Sequence, residues 1–157
     1  MNKRIVIWTF ILVGIGIALF LFYTGVKQKN ASSNQRNTQL AFKIIQTEAP
    51  KVEIAKQVVI RNEAEWATEI GTKTDISFTK EMVLVFFMGT RMTGGYSIEI
   101  SSVVNLVDKI VVSGQLVSPG KNCIVFQAIN YPYLVFTIPT SNKEIVWNME
   151  GVVRDCP

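Results

Sequence analysis

Few side chains in this sequence could do chemistry, and the absence of histidine limits them further. Without histidine, the chain cannot form a Ser–His–Asp or Cys–His nucleophilic site or a histidine-ligated metal centre. Its two cysteines are too few to build a zinc site by themselves. A Ser–Lys or paired-carboxylate site using Lys80, Glu81 or Glu99 is formally open, but the spacing of these residues does not favour one. The sequence therefore predicts a protein that is not an enzyme and binds neither a metal nor a cofactor.

A glycine-rich segment, residues 89–96, is the most informative local feature. It cannot be a phosphate-binding loop, because the Walker lysine is missing and a strand pattern follows it instead of a helix. One interpretation is a hairpin connection that needs glycine for a positive φ. The other is a loop that presents side chains to a partner protein. In that case the candidate partner-binding residues are Arg91, Met92, Thr93, Gly94, Gly95 and Tyr96.

Two further features leave alternatives open. Cys123 and Cys156 are a candidate disulfide, since two cysteines in a small domain outside the cytoplasm usually pair; two buried or independent thiols are the alternative, because pairing depends on a distance that the sequence does not show. The bond between Tyr131 and Pro132 could be cis, although a trans break between strands is the commoner case.

Charge is distributed unevenly along the chain. Residues 1–47 contain six lysines and arginines and no acidic residue, whereas the remainder contains ten basic and twelve acidic residues. A nucleic-acid binder should carry its basic patch on the folded body, so we expect no nucleic-acid partner. Nor do we expect a small-molecule substrate, because a body of this size has little room for a deep enclosed cavity. The basic residues near the N-terminus could contact anionic lipid or simply keep a linker soluble.

An uncharged apolar run extends from Ile5 to Tyr23, which is long enough to cross a bilayer as a helix. We expect a short cytoplasmic N-terminus at residues 1–4 and an uncleaved signal anchor at residues 5–25 that contacts membrane lipid. A cleaved signal peptide is the alternative, but the run exceeds the usual apolar core of such peptides. The charges that flank this run are nearly balanced and do not indicate its orientation. Because of the two cysteines and the family resemblance described below, we favour an extracytoplasmic C-terminal domain in the cell envelope.

The polar composition of residues 26–50 predicts a flexible linker, with Leu40, Phe42, Ile44 and Ile45 as candidate edge-strand residues. Residues 51–157 form the predicted β domain. An Asn62 N-cap with Glu65 three residues later predicts a helix over residues 63–70, with Trp66 in the core and Gly71 at its end. Strands are predicted at residues 52–60, 82–88, 96–106, 110–117, 123–129, 133–138 and 145–149. The fold class is thus mainly β, a small sandwich or a partly closed barrel with one short helix.

Several of these segments together resemble the PrcB C-terminal domain family, named after an accessory polypeptide of a bacterial surface protease complex. The likeness covers roughly residues 58–140. Its more specific part is the Thr93-Gly94-Gly95-Tyr96-Ser97-Ile98 block, followed by Pro132-Tyr133 and Ile138-Pro139. The other matching pieces are residues 75–78, 82–87 and 118–120, Gly89, Cys123 and Gln127-Ala128. The resemblance implies a non-enzymatic envelope domain that stabilises or assists a protease or another complex. It supplies no binding residues, so the Arg91–Tyr96 assignment is an inference from the sequence.

The Thr93–Tyr96 segment also resembles, in part, the Thr-Thr-Gly-Tyr loop of chagasin-type cysteine-protease inhibitors. That resemblance implies an alternative function, in which the loop over residues 91–96 blocks a protease cleft.

Overall fold

The computed structural model describes residues 37–71, 73 and 75–156. In this part of the chain two four-stranded sheets and one short helix account for the regular structure, and neither sheet closes into a barrel. The prediction of a mainly β fold with one helix is confirmed, and the barrel alternative is wrong. No helix among these residues is both long and apolar enough to cross a membrane. The predicted anchor at residues 5–25 lies outside the described residues.

The strands divide between two sheets. The strands are β1 (Thr38–Gln39), β2 (Lys43–Ile44), β3 (Lys56–Ile60), β4 (Glu81–Phe87), β5 (Ser97–Asn105), β6 (Lys109–Pro119), β7 (Tyr133–Pro139) and β8 (Glu144–Arg154), and helix α1 is Glu63–Glu69. Sheet A has the order β1-β5-β6-β8 and sheet B the order β2-β7-β4-β3. All pairs are antiparallel except β6 with β8. That pair is parallel because β7, which lies between them in sequence, belongs to the other sheet.

Strand β4 is buried on both faces, as its continuous apolar sequence predicts. Met82 and Leu84 pack with Val112 of sheet A in the space between the sheets. Val83 and Val85, on the opposite face, pack with Trp66 of helix α1. The helix therefore covers the outer face of sheet B.

Helix α1 begins and ends where its sequence signals predict. The Asn62 side chain accepts a hydrogen bond from the Glu65 N–H at 2.9 Å. The Glu65 carboxylate accepts one from the Arg61 N–H at 2.6 Å, so the reciprocal capping bond is made one residue earlier than in the usual capping box. Gly71, with φ 82°, follows the helix, and Trp66 is buried.

Several boundaries differ from the prediction. The domain begins before residue 51, because β1 and β2 pair with β5 and β7 inside the stretch assigned to the linker. The first predicted strand starts at Lys56, and the last extends to Arg154. The prediction of a strand over residues 123–129 is wrong. That segment is irregular, and its backbone bonds to the residue 89–96 loop instead of a sheet edge.

Candidate functional site

The segment over residues 89–96 is not a hairpin, since it carries the chain from β4 in sheet B to β5 in sheet A. Its backbone pairs with a second loop, the irregular segment that precedes β7. Arg91 and Asn130 form an isolated antiparallel bridge, with N···O distances of 2.8 and 2.9 Å. The Gly94 N–H donates to the Phe126 carbonyl at 2.9 Å. We call the two segments together, residues 91–96 and 123–130, the loop-pair surface.

Gly95 explains why this loop needs a glycine. Its φ is +87°, which residues with a side chain rarely adopt. A Cβ at this position would lie 2.9 Å from Val125 Cγ1 and 3.1 Å from Pro119 Cβ. Gly95 is therefore the point at which the first loop packs tightly against the second.

Arg91 and Tyr96 are partly engaged within the first loop. The Arg91 guanidinium lies 5.4 Å from the Tyr96 ring centroid, and its Nη1 donates to the Thr90 carbonyl at 3.0 Å. Such a cation–π contact holds both side chains in one orientation at modest energy. Both residues are half-buried, whereas Met92 at the loop tip is 70 % exposed.

The second loop carries large apolar side chains that face solvent. Ile124 is fully exposed and Phe126 is 88 % exposed, and Ile129 is exposed as well. Beside them a groove of about 380 Å³ is lined by Gly94, Gly95, Pro119, Ile124, Phe126 and Cys156, among others. Exposed apolar side chains gathered at one place are characteristic of interaction sites in a folded domain.

A disulfide between Cys123 and Cys156 fixes the base of the second loop. The bond spans a sequence separation of 33 residues, for which the chain-entropy model gives roughly 3–4 kcal/mol of stabilisation. The Gly120 N–H also donates to the Arg154 carbonyl at 2.9 Å. The loop is thus anchored to the end of β8 although its own backbone is irregular.

The sequence does not identify Ile124, Phe126 and Ile129 as site residues, because its pattern predicts a strand over residues 123–129. Nothing in the local sequence distinguishes a strand from an irregular loop with the same residues. Only the bonds from Phe126 and Asn130 to the residue 89–96 loop show that the segment lies outside both sheets.

The residues considered for catalysis do not come together. Glu81 belongs to sheet B and accepts a 3.4 Å bond from Thr137, whereas Glu99 lies in sheet A. The Arg154 guanidinium binds Glu99 through two bonds of 2.7 and 3.0 Å. These hydrogen bonds, helped by the arginine charge, lower the pKa of Glu99 and raise that of Arg154.

Among the described residues no three acidic or cysteine side chains are grouped as metal ligands would be. The described part of the chain has no cis peptide bond, so the Tyr131–Pro132 bond is trans.

Comparison with known proteins bears on the same region. Residues 82–139 match the family model of the PrcB C-terminal domain. The match runs from β4 to the end of β7, less than half of the chain, and contains both segments of the loop-pair surface. No curated protein and no solved structure matches the chain.

Proposed function

We propose that this protein is a non-enzymatic accessory domain, held at the membrane by residues 5–25, that binds a protein partner in the cell envelope. The partner class we favour is a protease or another subunit of a protease complex. The match of residues 82–139 to the PrcB C-terminal domain supports this class of role. The uncharged run at residues 5–23 and the disulfide support placement of the domain outside the cytoplasm.

The observation that carries the proposal is the exposure of Ile124 and Phe126 on an anchored loop. Hot spots of protein interfaces are large side chains that lose all contact with water on binding. Because the disulfide and the Gly94–Phe126 bond hold the second loop in place, little conformational entropy is lost when a partner binds. Met92 and the half-buried Arg91 extend the apolar centre with residue types that interfaces favour.

The inhibitor alternative has no specific support from the geometry. A loop that blocks a protease cleft must protrude, yet Gly95 packs against Val125 and Pro119, and Tyr96 lies beside Arg91. The most exposed side chains belong to the second loop, which the inhibitor resemblance does not include.

Replacement of both exposed anchors tests the proposal. Burial of each side chain is worth about 1.5–3 kcal/mol, so Ile124→Asp with Phe126→Asp should weaken partner affinity by roughly a hundredfold or more. The measurement is quantitative co-purification of the full-length chain from the envelope fraction. Specific partners, with a protease or protease-complex subunit among them, should disappear in the double variant.

Val107→Asp provides the matched control. Val107 is an exposed aliphatic residue in the turn between β5 and β6, at the end of sheet A away from the loop-pair surface. This variant should retain every partner. If the double variant and the control gave the same co-purification profile, the loop-pair surface would have no role in binding.

A further inference from the structure

Strand β8 leaves a long backbone edge open. It has eleven residues, and within the described part of the chain it pairs only with β6, at the end of sheet A. The other outer strands are short: β1 and β2 have two residues each and β3 has five. The β8 edge is therefore the longest row of backbone groups available for pairing with another strand.

Several features by which proteins usually protect such edges are absent from β8. Natural edge strands carry proline, charged side chains (lysine above all) or a bulge, all of which hinder pairing with another chain. Residues 144–154 contain no proline and no lysine, and their charged residues are Glu144, Glu150 and Arg154. Their register with β6 is continuous from Glu144 to Arg154, without the irregularity that β5 has between Ile100 and Ser102.

The direction of the backbone groups along this edge follows from one hydrogen bond. The Arg154 carbonyl accepts a hydrogen bond from the N–H of Gly120, the residue that follows β6. The backbone N–H and C=O groups of Arg154 therefore face β6. Because backbone groups alternate along a strand, the even-numbered residues of β8 face β6. The N–H and C=O groups of the odd-numbered residues, from Ile145 to Val153, consequently face the open edge.

We propose that β8 pairs with β8 of a second copy of this chain, antiparallel and with Met149 opposite Met149. Around this centre the odd-numbered residues of the two strands face each other, and each such pair exchanges two N–H···O bonds. The two copies are related by a twofold axis, and their A sheets form one continuous eight-stranded sheet.

The side chains of β8 are complementary to themselves in this register. Glu144 lies opposite Arg154 of the second copy and joins the Glu99–Arg154 ion pair there. Trp147, half-buried at the edge of the core, lies opposite Gly151, where nothing stands within 4 Å of a Cβ position. An aromatic ring that covers a cross-strand glycine is a known stabilising arrangement. Of the remaining pairs, Ile145 with Val153 and Val146 with Val152 are aliphatic, and Asn148 with Glu150 is polar.

Register-specific crosslinking tests this pairing in cells that produce the full-length chain. Val146 and Val152 of opposite copies form a non-hydrogen-bonded pair with a Cα separation of about 4.5 Å, within the range of a disulfide. Differently tagged copies carrying Val146→Cys and Val152→Cys should give a crosslinked heterodimer on oxidation with copper phenanthroline. Copies carrying Val146→Cys alone should not crosslink, because their two thiols are six residues out of register, roughly 20 Å apart. Absence of the mixed product, or equal crosslinking of Val146→Cys alone, would overturn the proposal.

Two substitutions at Gly151 separate strand pairing from folding. Gly151→Pro removes an N–H that faces the open edge and leaves the β6 hydrogen bonds in place. Gly151→Ala keeps that N–H and has room for its Cβ. In the cysteine-substituted pair, the proline variant should lose the crosslinked product and the alanine variant should keep it, with the Cys123–Cys156 disulfide formed in both. Undiminished crosslinking of a folded proline variant would show that backbone pairing is not the contact.

Discussion

At the scale of single residues, the ion pair of Glu99 and Arg154 links two strands that do not neighbour each other, β5 and β8, across the outer face of sheet A. Both side chains are exposed, so water and salt screen the pair and its contribution to stability is small. The two-bond geometry nevertheless orients Arg154 beside the disulfide-linked end of the chain.

Glu99→Gln should make the pH dependence of stability shallower at acid pH. The hydrogen bonds from Arg154 lower the pKa of Glu99 below 4.5, so the native state favours the ionised carboxylate. The contribution of the Glu99–Arg154 pair to stability is complete above pH 4.5 and is lost as the pH falls through the lowered pKa of Glu99. Thermal unfolding should place the variant slightly below wild type at pH 7, and the two should converge in strong acid. A difference in unfolding temperature between Glu99→Gln and wild type that grew as the pH fell would contradict this role of Glu99.

At the scale of elements, local signals determine where α1 lies and tertiary packing gives it stability. The helix has only seven residues, fewer than an isolated helix needs to be stable in water. It persists because Trp66 and Ile70 pack against the outer face of sheet B and because Asn62 and Glu65 satisfy N–H groups at its start.

Asn62→Ala should destabilise the domain by about 1 kcal/mol, within a range of about 0.5–2 kcal/mol for lost N-caps. The physical reason is that the Glu65 N–H loses its acceptor at 2.9 Å. Chemical denaturation should report the change as a lower midpoint with an unchanged slope. Asn142→Ala, at an exposed asparagine outside the helix, is the control and should have a much smaller effect. Equal effects of the two substitutions would refute a capping role.

At the scale of the whole molecule, the loop-pair surface lies where β4 leaves sheet B for β5 in sheet A, and β8 reaches the same end through the disulfide. The open edge of β8 is a separate surface. A dimer through β8 would therefore present two loop-pair surfaces to partners in the envelope, and either proposal can fail without the other.

The disulfide also offers a test of the proposed location outside the cytoplasm. A membrane-impermeant thiol reagent applied to intact cells should label the wild-type chain only after reduction, because Cys123 and Cys156 are bonded to each other. A chain with Cys123→Ser and Cys156→Ser should remain unlabelled and serves as the control. Labelling that requires lysis even after reduction would place the domain inside the cell and remove the basis for an envelope partner.

Features that depend on neighbouring residues could be predicted from the amino-acid sequence. The apolar run of β4, the alternation of β5, and the cap and end of α1 were predicted close to their observed bounds, since burial and capping leave a periodic pattern in the chain. The resemblance to the PrcB C-terminal domain also came from local blocks, and the match at residues 82–139 supports it.

Which segments meet could not be predicted from the sequence and is known from the folded structure. The exposure of Ile124 and Phe126, the bridge between Arg91 and Asn130, and the parallel pairing of β6 with β8 all depend on contacts between residues distant in sequence. An apolar segment such as residues 123–129 has the same sequence whether or not a sheet edge is available to pair with it. Because the residues after Cys123 bond to the residue 89–96 loop instead, a segment predicted as a strand is the exposed part of the candidate site.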